Sequence, residues 1–169
     1  MPKNGLISKK VVDALNGQVG AELYSSNLYL AMAAYFESVN LKGFSSWMKV
    51  QAQEELVHAR KFFEYILDRS GRARISALGE PPFSWESPRA AVEAAFQHES
   101  KVTGMINDLV ALASAEKDNA TFNMLQWFVA EQVEEEKSVD EIVQRLKIAG
   151  DGGVGLIVID GELAQRKAK

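Results

Sequence analysis

Four long stretches of this 169-residue chain carry apolar residues at steps of three and four, a spacing that places side chains on one face of an α-helix. Gly and Pro, which interrupt helices, cluster at 71–88 and 150–161. The pattern predicts α1 at about 8–37, α2 at about 44–70, α3 from Ser87-Pro88 through Ala113, and α4 at about 119–149. A short fifth helix, α5, is predicted within 155–167.

The lengths of the connections predict how these helices are arranged. Long helices of matched length are typical of an antiparallel bundle, and the short α1–α2 and α3–α4 links make each pair a hairpin. The link at 71–86 is much longer. It can reach about 50 Å, at about 3.3 Å per extended residue, whereas α2 is about 40 Å long, at about 1.5 Å per residue. We therefore expect an all-α single domain over residues 1–169, in which one crossover makes α2 and α3 parallel.

Polar residues interrupt the apolar face near the middle of every long helix. Ionised carboxylates are costly to bury unless they are paired or bound to metal. The three polar positions of the first hairpin recur 77 residues later in the second, as Glu22 with Glu99, Glu55 with Gln132, and His58 with Glu135. Two hairpins related by a pseudo-twofold axis would bring these six side chains together in the bundle centre. This is the arrangement of dinuclear carboxylate sites.

The chemistry of this donor set favours iron or manganese. Four carboxylates would neutralise two divalent ions, and one imidazole among oxygen ligands suits these metals better than copper or structural zinc. The chain has no cysteine and two histidines, so disulfides, iron–sulfur clusters and cysteine nucleophiles are excluded. The net charge of −4 argues against a nucleic-acid partner.

Several neighbouring residues leave alternatives open. Glu54, Glu131 and Glu134 adjoin the six positions, either as a solvated helix edge or as a third, more exposed metal site. Tyr29 and Trp127 are expected in the core, and the alternative is an oxidisable ring near the metals. His98 precedes Glu99 and points about 100° away from it, so we expect it at the surface or an interface and not as a ligand.

The motifs Glu22, Glu55-Leu56-Val57-His58, Glu99 and Gln132-Val133-Glu134-Glu135 resemble the ferroxidase centre of ferritins, most of all the haem-free bacterial and archaeal ferritins. The resemblance implies a ferritin-like four-helix bundle with a bound diiron pair. Its first iron would be held by Glu22, Glu55 and His58, and its second by Glu55, Glu99 and Glu135. Gln132 would be a weak or supporting ligand, and Tyr29 and Trp127 would lie close by. The same resemblance implies a third iron, held by Glu54, Glu131 and Glu134 together with Glu135.

The resemblance also implies what the chain does. It implies iron storage and detoxification by a ferroxidase, which oxidises Fe²⁺ with O₂ or peroxide inside a shell of 24 identical subunits. Exposed aromatics of the crossover, Phe83 and Trp85, would suit a subunit interface. Leu56 stands where bacterioferritins have their haem-ligating Met, and Glu135 where they have His, so no haem is expected.

Three other functions fit parts of the sequence. A dinuclear oxidase or peroxidase would share the ligands but form no shell. A DNA-protecting mini-ferritin-like protein would use sites between subunits and often a basic tail, whereas here the ligands lie in one chain and the start carries only Lys3, Lys9 and Lys10. A plain helical scaffold would bind no iron. The start has no apolar signal core and the longest apolar run, 28–36, is too short to span a bilayer, so a cytoplasmic protein without membrane or nucleic-acid partners is expected.

Overall fold

The computed structural model describes residues 7–150 and 153–168, and every regular element in that part of the chain is an α-helix. Its helices are α1 Lys9–Ser38, α2 Lys42–Asp68, α3 Pro88–Ala115, α4 Asn119–Ala149 and α5 Val154–Leu163. The predicted bounds of the four long helices agree with these to within two residues, and α5 ends four residues earlier than predicted. The expectations for the chain start, including Lys3, lie outside the described residues. None of the described helices is both long enough and apolar enough to cross a membrane.

Local capping explains where the helices begin and end. The Ser8 side chain accepts a hydrogen bond from the Val11 N–H at 3.3 Å, and Ser87 accepts from Ala90 at 3.0 Å. Asp118 accepts from the Thr121 N–H at 3.1 Å. Each cap satisfies a backbone donor that has no partner within its own helix. Gly150 ends α4 at a positive φ of 78°, a conformation that glycine adopts without steric cost.

Two apolar clusters, one towards each end of the bundle, establish the topology. The first joins the C-terminal halves of α1 and α4 to the N-terminal halves of α2 and α3, and within it the Phe36 and Phe44 rings stack at 4.9 Å. The second joins the opposite halves, where Phe62 stacks on Phe128 at 3.9 Å. Because the N-terminal halves of α2 and α3 share one cluster, these helices are parallel. The predicted crossover is therefore confirmed.

Helical spacing predicts Leu30 of α1 and Phe122 of α4 on the buried apolar faces. The predicted apolar faces of α2 and α3 are buried throughout, but these two positions on the other helices are not. Leu30 of α1 is 48% exposed and Phe122 of α4 is 39% exposed. In each case the preceding residue, Tyr29 or Thr121, takes the buried position instead. The prediction was wrong at these two positions because two successive steps of four in α1, and two successive steps of three in α4, drift away from the 3.6-residue helical turn.

The crossover is held against α1 by one asparagine and one aromatic pair. The Asn16 side chain donates to the Arg72 carbonyl oxygen at 3.0 Å and accepts from the Arg74 N–H at 2.7 Å. Trp85 is half-buried against Tyr35, with ring centroids 5.5 Å apart. Phe83 is 94% exposed. Of the two aromatics predicted to be exposed, only Phe83 is, because Trp85 packs within its own chain.

Candidate metal centre

A layer of polar side chains lies between the two apolar clusters. Each of the six residues linked by the 77-residue repeat is less than 5% exposed. These residues are Glu22, Glu55, His58, Glu99, Gln132 and Glu135. Their helices are fixed by the clusters above and below, so the layer is buried although its members are charged or polar.

The first group of possible ligands belongs entirely to the α1–α2 hairpin. Glu22, Glu55 and His58 each offer one ligand atom, and these atoms lie within 4.8 Å of one another. The His58 Nδ1 atom is 3.3 Å from Glu55 Oε2 and 4.0 Å from Glu22 Oε2. Two carboxylates and an imidazole at this separation could hold one metal ion.

The second group brings the two hairpins together. His58 of α2 lies with Glu131 and Glu135 of α4, again with ligand atoms within 4.8 Å of one another. The His58 Nε2 atom is 4.0 Å from Glu131 Oε1. The two groups share His58, so the structure places two candidate metal positions side by side.

Glu99 lies in the same layer but belongs to neither group in the described structure. The buried Tyr29 hydroxyl donates to Glu99 Oε1, and the Gln132 amide donates to Glu99 Oε2 at 3.2 Å. Gln132 also donates to the Glu99 backbone oxygen and to Thr103, each at 3.3 Å. In this state Tyr29 and Gln132 therefore orient Glu99.

Two glutamines that the sequence did not single out as site residues orient the other carboxylates. The Gln18 amide donates to Glu22 Oε1 at 2.8 Å. The Gln51 amide donates to Glu135 Oε2 at 2.6 Å and to Glu55 Oε1 at 3.3 Å. Both glutamines precede a glutamate of the layer by four residues, one helical turn, and that spacing could have revealed them.

Burial controls the protonation of the carboxylates. It raises the pKa of Glu22 and of Glu55 well above the ordinary value, and the neighbouring carboxylates Glu55 and Glu99, respectively, add to the effect. Burial likewise raises the pKa of Glu99, and that of Glu135 to about 7. Glu22 Oε2 and Glu135 Oε1 are buried without a hydrogen-bond partner. Such oxygens are costly in an apolar interior unless a proton or a cation compensates them.

The three residues considered for a third metal position are not gathered into one group. Glu131 belongs to the second group, whereas Glu134 is exposed. Glu54 is buried and forms an ion pair with Arg166 at 2.8 Å, while its Oε1 atom has no hydrogen-bond partner. In this state Glu54 is thus paired with a residue of the C-terminal segment.

The aromatic residues near the site differ in burial. Tyr29 is fully buried, as expected, and burial together with the Glu99 and Glu55 charges raises its pKa well above the ordinary value. Trp127 is 39% exposed, so the expectation of a core position was wrong. Its ring lies edge-on to His58 at 5.5 Å, and the Lys61 ammonium lies 3.5 Å from its centroid. Trp127 lines the outside of the site instead.

His98 is half-buried and not openly exposed, and an interface position for it stays a prediction. Its Nε2 atom lies 2.7 Å from the Ser25 hydroxyl, and its ring is edge-on to Tyr29. Burial, with a smaller contribution from Lys101, lowers the pKa of His98 to about 4. Neither candidate ligand group includes it.

A one-crossover bundle with buried carboxylates and a histidine between its apolar ends is the architecture of the ferritin-like carboxylate proteins. The chain belongs to the ferritin family, because the family model described as a ferritin-like domain matches residues 12–149.

Individual relatives agree with this assignment. The chain is 45% identical to the bacterial non-heme ferritin of Bacteroides fragilis, over 95% of this chain and all of the relative. It is 36% identical to that of Escherichia coli O157:H7, over 94% of this chain and 96% of the relative. Among solved structures, an open-pore ferritin from the archaeon Archaeoglobus fulgidus is 53% identical, with a TM-score of 0.94 over 95% of this chain and 99% of its own.

Proposed function

We propose that this protein is an iron-storage ferritin with ferroxidase activity, built as a single domain over residues 1–169. Fe²⁺ would be its substrate and O₂ or peroxide its oxidant. The observation that carries the proposal is the pair of ligand groups sharing His58 in a buried layer whose carboxylates include oxygens without partners. A divalent cation would compensate such oxygens.

Each member of the layer has a part in this reaction. Glu22, Glu55 and His58 bind one Fe²⁺. The second Fe²⁺ is held by Glu135, by Glu55 as a bridge and by Glu99, with Glu131 and Gln132 beside it. Glu99 reaches the metal by exchanging a hydrogen bond from Tyr29 or Gln132 for a metal bond. Glu54, Glu131 and Glu134 hold a third, more weakly bound ion.

Oxidation needs two metal ions because one Fe²⁺ gives up a single electron. Two adjacent Fe²⁺ ions together pass two electrons to one O₂ molecule, which takes two protons and leaves as hydrogen peroxide. The carboxylates supply protons to solvent when Fe²⁺ binds, since their pKa values are raised in the metal-free layer. The Fe³⁺ product is hydrolysed to a ferric oxyhydroxide mineral, which a protein shell would contain.

The shell is proposed to contain 24 copies of the chain, as the family resemblance implies. Exposed apolar side chains favour self-association. They lie on the crossover, at the end of α4 and on α5, as Phe83, Ile148, Val154 and Ile157. An assembly of 24 subunits of 18.7 kDa would have a mass of about 450 kDa.

The test replaces Glu55 and His58 by alanine and measures Fe²⁺ oxidation by stopped flow at two Fe²⁺ per subunit. Rapid oxidation should disappear, because both metal positions lose a ligand. A second variant, Glu55→Gln with His58→Gln, conserves side-chain volume in case the alanine variant fails to fold. Exposed Glu64 of α2 provides the control, and Glu64→Ala should oxidise iron at the normal rate.

Size-exclusion chromatography of the same samples distinguishes a storage shell from a small oxidase. A mass near 450 kDa before and after substitution supports storage, whereas a dimer that oxidises iron without retaining it would point to the dinuclear oxidase. Unchanged oxidation in both double variants would refute the assignment of the site.

A further inference from the structure

Arg166 connects the C-terminal segment, which lies outside the four-helix bundle, to the edge of the metal layer. It follows α5 by three residues, yet its guanidinium reaches the middle of α2. One nitrogen donates to Glu54 Oε2 and to Gln51 Oε1, each at 2.8 Å. The other nitrogen donates to the Trp47 backbone oxygen at 3.4 Å, and the guanidinium carbon lies 4.2 Å from the centre of the Trp47 ring.

The position of Arg166 depends on how α5 packs on the start of α2. Leu41 precedes α2 without offering a side-chain cap, and Asp160 of α5 instead accepts from the Phe44 N–H at 2.9 Å. Gly43 allows this approach, since a Cβ atom there would lie 1.7 Å from the Asp160 backbone oxygen. The C-terminal segment is therefore directed along α2 towards Glu54.

Glu54 lies beside the second ligand group, and only one of its two carboxylate oxygens has a hydrogen-bond partner. Its Oε2 atom binds Arg166, and its Oε1 atom is buried without a hydrogen-bond partner. The Glu54 charge is also among the causes that raise the pKa of Glu135, so Glu54 lies within electrostatic reach of the metal layer. A metal ion approaching Glu54 would meet a guanidinium already bound to the same carboxylate. Two cations a few ångströms apart in a partly buried site repel each other strongly.

We propose that Arg166 is a tethered cation that competes with Fe²⁺ for Glu54, and so weakens binding of a further metal ion beside the second ligand group. This inference rests on the proposed function, because it assumes that iron occupies the layer. Arg166 is a positioning residue in this scheme and takes no part in oxidation. Through Gln51 it also fixes which way that amide points, with the oxygen towards Arg166 and the nitrogen towards Glu55 and Glu135.

The test is an anaerobic calorimetric titration of the metal-free, assembled protein with Fe²⁺. Arg166→Gln should bind the further ion about tenfold more tightly, the effect expected from losing one charge-assisted competitor. The first two ions should keep their affinities within about threefold, since among the described residues Arg166 hydrogen-bonds to Trp47, Gln51 and Glu54 and to no ligand of either group. Arg166→Lys, which keeps a cation near Glu54, should bind the further ion as weakly as the unmodified protein.

Two further variants complete the titration. Lys167→Gln removes the same unit charge from an exposed neighbour and should leave all affinities unchanged. Glu54→Gln should abolish the further ion whether or not Arg166 is present, because the contested ligand is gone.

The outcomes separate this inference from the proposed function. Two tight ions together with a further ion that binds equally well in the unmodified protein and in Arg166→Gln would overturn this inference alone. An unmodified protein that binds no Fe²⁺ tightly would overturn the proposed function, and this inference with it.

A second measurement uses the unmodified protein and redox-inert Zn²⁺. Occupation of Glu54 by the metal should release the tail and increase tryptic cleavage after Arg166, as read by mass spectrometry, while cleavage after exposed Arg74 of the crossover serves as the internal reference. An unchanged ratio of the two cleavages at saturating Zn²⁺ would contradict the competition.

Discussion

Replacing Glu135 by glutamine should stabilise the metal-free protein while impairing its iron site. Glu135 is buried, with one oxygen bound by Gln51 and the other without a partner. Glutamine has nearly the same volume, and its carbonyl oxygen can still accept the Gln51 hydrogen bond. The substitution therefore removes the capacity to carry a negative charge and little else.

The size of the effect depends on pH in a definite direction. Folding raises the pKa of Glu135 from its ordinary value of 4.5 to about 7, chiefly by burial. Between these values the folded chain binds more protons than the unfolded chain, so the stability of the unmodified protein falls as pH rises through about 7. At about 1.4 kcal/mol for each tenfold change in proton affinity, the cost reaches about 3 kcal/mol at pH 8 and is below about 1 kcal/mol at pH 5.

Differential scanning calorimetry of the chelator-treated protein measures this cost. For a chain of this size 1 kcal/mol corresponds to about 2–4 °C, so Glu135→Gln should melt about 6–12 °C higher than the unmodified protein at pH 8. The difference should shrink to about 3 °C or less at pH 5. Exposed Glu141 on the same helix is the matched control, and Glu141→Gln should change the melting temperature little at either pH.

Two results would refute the reasoning. If Glu135→Gln melts at or below the temperature of the unmodified protein at pH 8, the buried charge is compensated by something other than a proton or a metal. A shift of equal size at pH 5 and pH 8 would likewise show that the effect is not electrostatic.

Two further predictions concern contacts around the layer. Tyr29→Phe removes the hydroxyl that donates to Glu99, and chemical denaturation should show the metal-free protein destabilised by about 1–3 kcal/mol. The same variant should weaken Fe²⁺ binding more at pH 6 than at pH 8, because Glu99 loses a donor that favours its ionised form. Gly43→Ala places a methyl group against the Asp160 backbone and should release α5, lowering the melting temperature and exposing the C-terminal segment to protease. Gly104→Ala, where the added Cβ meets nothing within 4 Å, is its control and should be neutral or stabilising by up to about 1 kcal/mol.

The sequence predicted the bundle and the composition of its central layer with few errors. Helical spacing is a local property, so stripes such as those through Phe62 and Val102 could be identified without knowing their neighbours. The 77-residue repeat that relates Glu22 to Glu99 indicated the position of both residues along the bundle axis, because equal offsets along two hairpins correspond to equal positions along that axis. The crossover followed from length alone, since only a long link can join parallel helices.

The errors concern contacts between helices, which spacing does not determine. Trp127 lies at the edge of a helix face, where burial depends on the residue opposite, and it was placed wrongly. Arg166 could not be linked to Glu54 from the sequence, because 112 residues separate them and the contact requires α5 to dock beside Gly43. Which residues bind iron stays a prediction at every position.

The crossover joins the two halves of the molecule covalently but contributes no side chain to the candidate ligand groups. Residues 76–80 within it are exposed, and its anchors to α1, Arg72 and Arg74 at one end and Trp85 at the other, flank that stretch. A cut within 76–80 would therefore yield two hairpins: the first keeps the contacts of Asn16 with Arg72 and Arg74, and the second carries Trp85, whose partner Tyr35 lies in the first. The chain could therefore be divided into two fragments at this point, and recovery of iron oxidation on mixing would measure how well the fragments reassemble.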